Sequence, residues 1–98
     1  MLDFRDVEPR ELRVPPSRRQ GADPAKLARQ IGLFGRSAVG MPPRWVYEGS
    51  DRVLVLSNGV TRATRIAKLL PGTLVRVEVI DDLPIPVGLY PKVGDLVP

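Results

Sequence analysis

The sequence predicts a small α/β (α+β) single domain in which a mixed sheet carries two amphipathic helices. Three observations predict it. Two apolar sets recur at helical spacing, each opened by a capping residue and closed by glycine or proline. Short β-favouring runs bounded by turn residues lie between and after them. Finally, 98 residues with 43% hydrophobic content suit one core rather than two.

The elements follow in order. Residues 1–22 are polar and rich in Arg and Pro, and predict an extended leading segment. Its apolar cluster of Leu12, Val14, Pro15 and Pro16 could start an edge strand and then stop it. Asp23-Pro24 opens the first helix, because Asp accepts from exposed backbone N–H groups and Pro at the first helical position sacrifices no internal bond. Leu27, Ala28, Ile31 and Phe34 form its apolar face, and Gly32 or Gly35 ends it. Residues 35–43 read as a loop. Arg44, Trp45, Val46, Tyr47 and Glu48 then form one strand, Gly49-Ser50-Asp51 a turn, and Val53 to Leu56 a buried strand. Asn58 is the expected N-cap of a second helix, with Ala63, Ile66, Ala67 and Leu70 on its apolar face and Pro71-Gly72 as the stop. Residues 74–80 alternate as a half-buried strand, Val75, Val77 and Val79 facing in. Asp81-Asp82 reads as a solvated turn. The Pro-rich tail over 81–98 excludes a regular helix, and Leu83, Ile85, Val87, Leu89 and Tyr90 would bind it to the body as an extended strap. The chain thus divides into a leading segment (1–22), a core (23–80) and a strap (81–98).

Composition narrows the chemistry. Without cysteine there is no disulfide, thiol nucleophile or thiolate metal site. Without histidine, the commonest general base and every Ser-His arrangement are excluded. Lys+Arg number 15 against 11 Asp+Glu, for a net charge of +4, and 12 of the 15 cations are Arg, whose fork suits bidentate phosphate recognition. No apolar stretch reaches the roughly 18 residues that span a bilayer, and the charged start Met1-Leu2-Asp3-Phe4-Arg5-Asp6 lacks a signal-peptide core, so the chain reads as soluble.

The stretch over 53–69 carries the sharpest signal. A buried strand turns through Asn58-Gly59 into a cationic helix whose N-terminus offers unpaired N–H groups and positive partial charge. Gly59 permits close backbone approach, Thr61 and Arg62 reach the first turn, and Arg62, Arg65 and Lys68 would form a cationic stripe opposite the apolar face. A solvated amphipathic helix with a capping Asn is the plainer reading of the same residues.

The order of elements, and Gly59-x-x-Arg62 between a buried strand and a helix, resemble the ParB/sulfiredoxin superfamily, whose signature is a Gly-x-x-Arg box at such a helix start. The likeness covers residues 7–80. It implies a ParB/sulfiredoxin-like fold and a phosphate-binding role for Asn58, Gly59, Thr61 and Arg62, with Arg18 and Arg19 as secondary contacts where the family has an early Arg-containing box. Val60 departs from the pattern, standing where ParB members usually have Glu and sulfiredoxins have Cys, so sulfinic-acid repair is excluded. Arg65 stands where Ala is frequent. No helix-turn-helix region follows, which sets aside specific reading of a centromere-like site. A looser resemblance, through residues 58–65 and the Pro-rich tail, is to ParB-like modules at the C-terminal ends of bacterial polymorphic toxins.

The expectation that results is a phosphate-handling, nucleic-acid-cleaving toxin module in the bacterial cytoplasm or delivered into a competing cell. Arg62, Arg65 and Thr61 are assigned to catalysis, no residue to a metal, and Mg²⁺ or a nucleotide stands as the cofactor to test. Partners would be DNA, RNA or a nucleotide, and an acidic cognate inhibitor protein. Glu48, Asp51, Glu78, Asp81, Asp82 and Tyr47 are the candidates for an acid or base, in no recognised motif. The alternatives are a non-catalytic nucleotide or nucleic-acid binding module, contacting phosphate in a salt-dependent manner, and a protein-interaction domain with an acidic partner.

Overall fold

A computed structural model describes residues 2–38 and 40–98. Met1, of the charged start, and Val39, in the loop expected over 35–43, lie outside them. Strands β1 (Phe4–Val7), β2 (Arg44–Glu48), β3 (Leu54–Leu56) and β4 (Val75–Asp82) form one sheet in the order β1-β4-β2-β3, accompanied by helices α1 (Pro24–Phe34) and α2 (Val60–Leu69). The sheet is mixed: β4 runs antiparallel to β1 and parallel to β2, while β2 and β3 form an antiparallel hairpin. This is the α+β architecture that the alternating periodicities predict.

Local chemistry explains the elements. The Asp23 carboxylate accepts from the N–H groups of Ala25 and Lys26 at 2.8 and 3.2 Å, with Pro24 behind it, and Gly35 at φ 54° ends the helix. In the β2–β3 turn, Asp51 accepts from Val53 N–H at 3.4 Å, and also from Val87 and Gly88 of the tail at 3.2 and 2.8 Å. One carboxylate therefore shapes the hairpin and moors the strap.

Helix α2 shares the core with one face of the sheet, and α1 packs against α2. Val46 and Val77 of the sheet meet Val60, Ala63 and Ala67 of α2, and Leu12, Val14, Leu56 and Val93 complete the cluster. The core thus draws on all three stretches of the chain. On the other face the register sets Phe4, Glu78 and Trp45 side by side across β1, β4 and β2. That face is open, with Phe4 44% and Trp45 50% exposed.

The two edges of the sheet differ. Along β3, Arg13 N–H donates to Leu54 O at 3.0 Å and Arg13 O accepts from Leu56 N–H at 2.9 Å. Next to Arg13, Val14 N–H donates to Pro91 O and Val93 N–H to Leu12 O, both at 2.8 Å, so the leading segment and the tail cover that edge in turn. At the other edge, β1 pairs with β4 and with no further strand among the described residues.

Several expectations are corrected. The leading segment is not simply extended: it contains β1 and one-turn 3-10 segments at Pro9–Glu11 and Pro16–Arg18. Strand β4 runs through Asp81 and Asp82, because pairing of Tyr47 and Glu48 with these residues continues past a bulge. On α1 only Leu27 is fully buried; Ala28 and Phe34 are exposed. Strand β3 omits Val53. The tail is held as a strap, but by Val87 and Val93 rather than Leu89, which is wholly exposed.

Candidate phosphate site

The turn from β3 into α2 is held open by a glycine. Gly59 caps the helix at φ 77°, in the left-handed region, and its missing side chain leaves room for the Arg44 side chain from β2. A Cβ at position 59 would collide with Arg44 Cδ. Arg44 Nε donates to Pro42 O at 3.1 Å, which fixes the stem while the guanidinium lies over the turn. Asn58 is not the N-cap. Its Oδ1 accepts from Trp45 N–H at 3.3 Å, because the left-handed Gly59 turns the chain so that no side chain caps α2. The first N–H groups of α2 are thereby left without a side-chain acceptor. Val60 lines the cleft in front of them, with only 3% of its surface exposed.

That cleft, about 390 Å³, is bounded by Gly59, Val60, Thr61 and Arg62 of the helix start, Arg44 of β2, Lys26, Arg29 and Gln30 of α1, and Arg18. Five cations therefore converge on one helix N-terminus, and none of them forms an ion pair with a carboxylate among the described residues. Burial, and then the charge of Arg62, lower the Arg44 guanidinium below its ordinary value. Such crowding of like charge is relieved by a bound anion. A second depression of about 810 Å³ shares Arg18 and Lys26 with the cleft and includes Arg19.

Of the sequence-predicted residues, Gly59, Thr61, Arg62 and Arg18 are brought together in the cleft, Arg19 lies in the adjoining depression, and Asn58 serves the turn. Arg65 stands apart, and the stripe expected opposite the apolar face does not form. It is 2% exposed, donates from Nη1 to the carbonyls of Gly35 and Ser37 at 2.8 Å each, and stacks 5.3 Å from the Phe34 ring centre. Burial, then Arg62, lower its pKa. Lys68 is exposed a turn further on. Sequence reasoning missed Arg44, Lys26 and Arg29 as site residues. Lys26 and Arg29 share the polar face of α1, a signal that was present; nothing in the strand pattern marks Arg44 as reaching Gly59.

A smaller pocket of about 180 Å³ adjoins the cleft through Gln30 and Arg62, and includes Phe34, Met41, Pro42 and Arg65. Two buried polar atoms among its residues, Gln30 Oε1 and Arg65 Nε, have no hydrogen-bond partner among the described residues. The candidate acids lie elsewhere. Glu48 accepts from Arg5 Nη1 at 2.8 Å, and that bond, ahead of the opposing effect of burial, holds its carboxyl below the usual range. Asp51 binds backbone, Glu78 sits between Phe4 and Trp45 on the open sheet face, and none of these acids lines the cleft. No group of three or more Asp or Glu suited to a metal ion occurs among the described residues. No helix among them is long and apolar enough to cross a membrane. The chain matches no family model, no curated protein and no solved structure.

Proposed function

We propose that this domain binds the phosphate backbone of a nucleic acid along the cleft at the start of α2. The observation that carries the reading is the convergence of Arg18, Lys26, Arg29, Arg44 and Arg62, without paired carboxylates, on uncapped N–H groups. The second depression, which shares Arg18 with the cleft and includes Arg19, favours a ligand with successive phosphates over a single inorganic ion. Backbone contact of this kind carries little sequence preference. A free nucleotide is the second reading, favoured by the small pocket beside the cleft, where Phe34 offers an aromatic face and Gln30 and Arg65 an unused acceptor and donor.

The test is binding of labelled DNA and RNA at several salt concentrations, with and without Mg²⁺, by the wild type and by Arg62→Ala. Affinity should fall steeply with salt, and Arg62→Ala should weaken it about tenfold and reduce the logarithmic salt slope by about 1, with thermal stability nearly unchanged. Equal binding by the variant would remove the cleft from the function. Binding of a labelled nucleotide, with no binding of labelled DNA or RNA, would favour the second reading. Product formation lost in Arg62→Ala would make the domain a nuclease, as the resemblance to toxin modules implies.

A further inference from the structure

Among the described residues the protein covers one edge of its sheet twice over and leaves the other bare. We propose that the bare edge, β1, pairs antiparallel with β1 of a second copy of this chain, joining two four-stranded sheets into one of eight strands. Three features support this.

The first is the state of the backbone. Val79 N–H donates to Asp3 O at 2.8 Å, which makes Asp3 and Val79 a hydrogen-bonded pair. Antiparallel pairs alternate, so Arg5 and Val7 also bond to β4, whereas the N–H and C=O groups of Phe4 and Asp6 point away from it, to the open edge. Leu2 follows the same parity.

The second is charge. Only a register pairing residues of equal parity joins these outward groups. With Phe4 opposite the partner's Phe4, Leu2 faces the partner's Asp6 in hydrogen-bonded pairs, and Arg5 faces the partner's Asp3. Opposite charges then meet across the dyad twice. Within one chain Arg5 is paired with Asp3 at 3.0 Å and, across β4, with Glu48 at 2.8 Å, and Arg5 and Asp3 remain 37% and 47% exposed, so the dimer would extend an existing pair rather than join free charges. The two neighbouring registers of the same parity would instead set Arg5 against the partner's Arg5 or Asp3 against the partner's Asp3, which disfavours both.

The third is apolar surface. Leu2 is 67% exposed and Phe4 44%, and the favoured register puts the two Phe4 rings side by side on the open face. Of the devices that blunt an edge, β1 has its shortness and the charges of Arg5 and Asp6, both of which are paired within the chain, but no Pro, bulge or covering segment among the described residues, whereas Arg13 and Lys92 cover β3.

Cysteine substitution tests both the partner and the register, since the chain has no cysteine of its own. In the proposed register the Cα atoms at position 4 lie about 5.5 Å apart, within the range of roughly 4.4–6.8 Å that a disulfide bridges. Those at position 6 lie about 14 Å apart. Sedimentation of the wild type over micromolar to millimolar concentrations should show a monomer–dimer equilibrium. Phe4→Cys should cross-link on mild oxidation and Asp6→Cys should not. Phe4→Pro removes an outward donor without touching the β1–β4 ladder, and should weaken the dimer by ~10-fold or more with unchanged circular dichroism. A monomer throughout the range, or a dimer that Phe4→Pro leaves intact and Phe4→Cys does not cross-link, would overturn the proposal. If a strand from a different protein occupies this edge, the isolated chain is the monomer that overturns it.

Discussion

Gly59 and Gly72 share a left-handed backbone, at φ 77° and 85°, but not an environment. Nothing lies within 4 Å of a Cβ built on Gly72, whereas one on Gly59 strikes the Arg44 side chain. Alanine at either position carries the strain of the left-handed region, about 1–2 kcal/mol. Only Gly59→Ala also displaces a cation from the cleft. Gly72→Ala is therefore expected to lower the thermal midpoint and leave nucleic-acid affinity unchanged, while Gly59→Ala lowers both. Parallel melting and binding titrations of the two variants separate strain from loss of the site. Equal affinity losses would mean that Arg44 plays no part.

At the scale of elements, Arg65 ties the connection after α1 to α2. Its two bonds to the Gly35 and Ser37 carbonyls and its stacking on Phe34 hold the start of the segment that leads into β2, and so the wall of the smaller pocket beside the cleft. Arg65→Ala should cost about 1–3 kcal/mol in urea unfolding. Arg62→Ala should not, and a stable Arg65→Ala protein would deny this structural role. The contrast shows what sequence could and could not convey. The helices were legible because Asp23 and the apolar sets act within a few residues, and β2, β3 and β4 because their β-favouring runs are local too. The fate of Arg65 was not, since its acceptors lie 30 and 28 residues earlier. Strand β1 escaped for the same reason. Arg5 and Asp6 look like solvated charges until Glu48, 43 residues away, and Arg76, 70 residues away, come alongside. The helix start of the site was plain in Gly59-x-x-Arg62, but the cations that face it arrive from other elements.

For the molecule as a whole, acid is the condition that tests these long-range ties together. The Arg5 bond holds the Glu48 carboxyl below its usual range, and the Arg76 bond does the same for Asp6. Burial pushes Asp51 up, but its backbone bonds from Gly88, Val87 and Val53 together bring it lower. A carboxyl whose pKa is lower in the folded state contributes stability above its unfolded value, near 4, and loses it as pH falls through the folded value. The urea midpoint should therefore be flat near neutrality and drop progressively below about pH 4. Asp51→Asn should lower the neutral midpoint and flatten the acid limb. An unchanged pH profile in that variant would show that the strap is not moored through this carboxylate.

The interleaving of Arg13 between β3 and the tail also constrains how the chain is made. Arg13 Nη1 donates to Tyr90 O, 77 residues further along, and its neighbours bond Pro91 and Val93. During synthesis the earliest residues of this group must wait, unregistered, until the last have left the ribosome. Closure of the β3 edge is thus a late event governed by loop-closure entropy, and until residues 90–93 emerge the nascent chain exposes strand edges that the folded protein conceals.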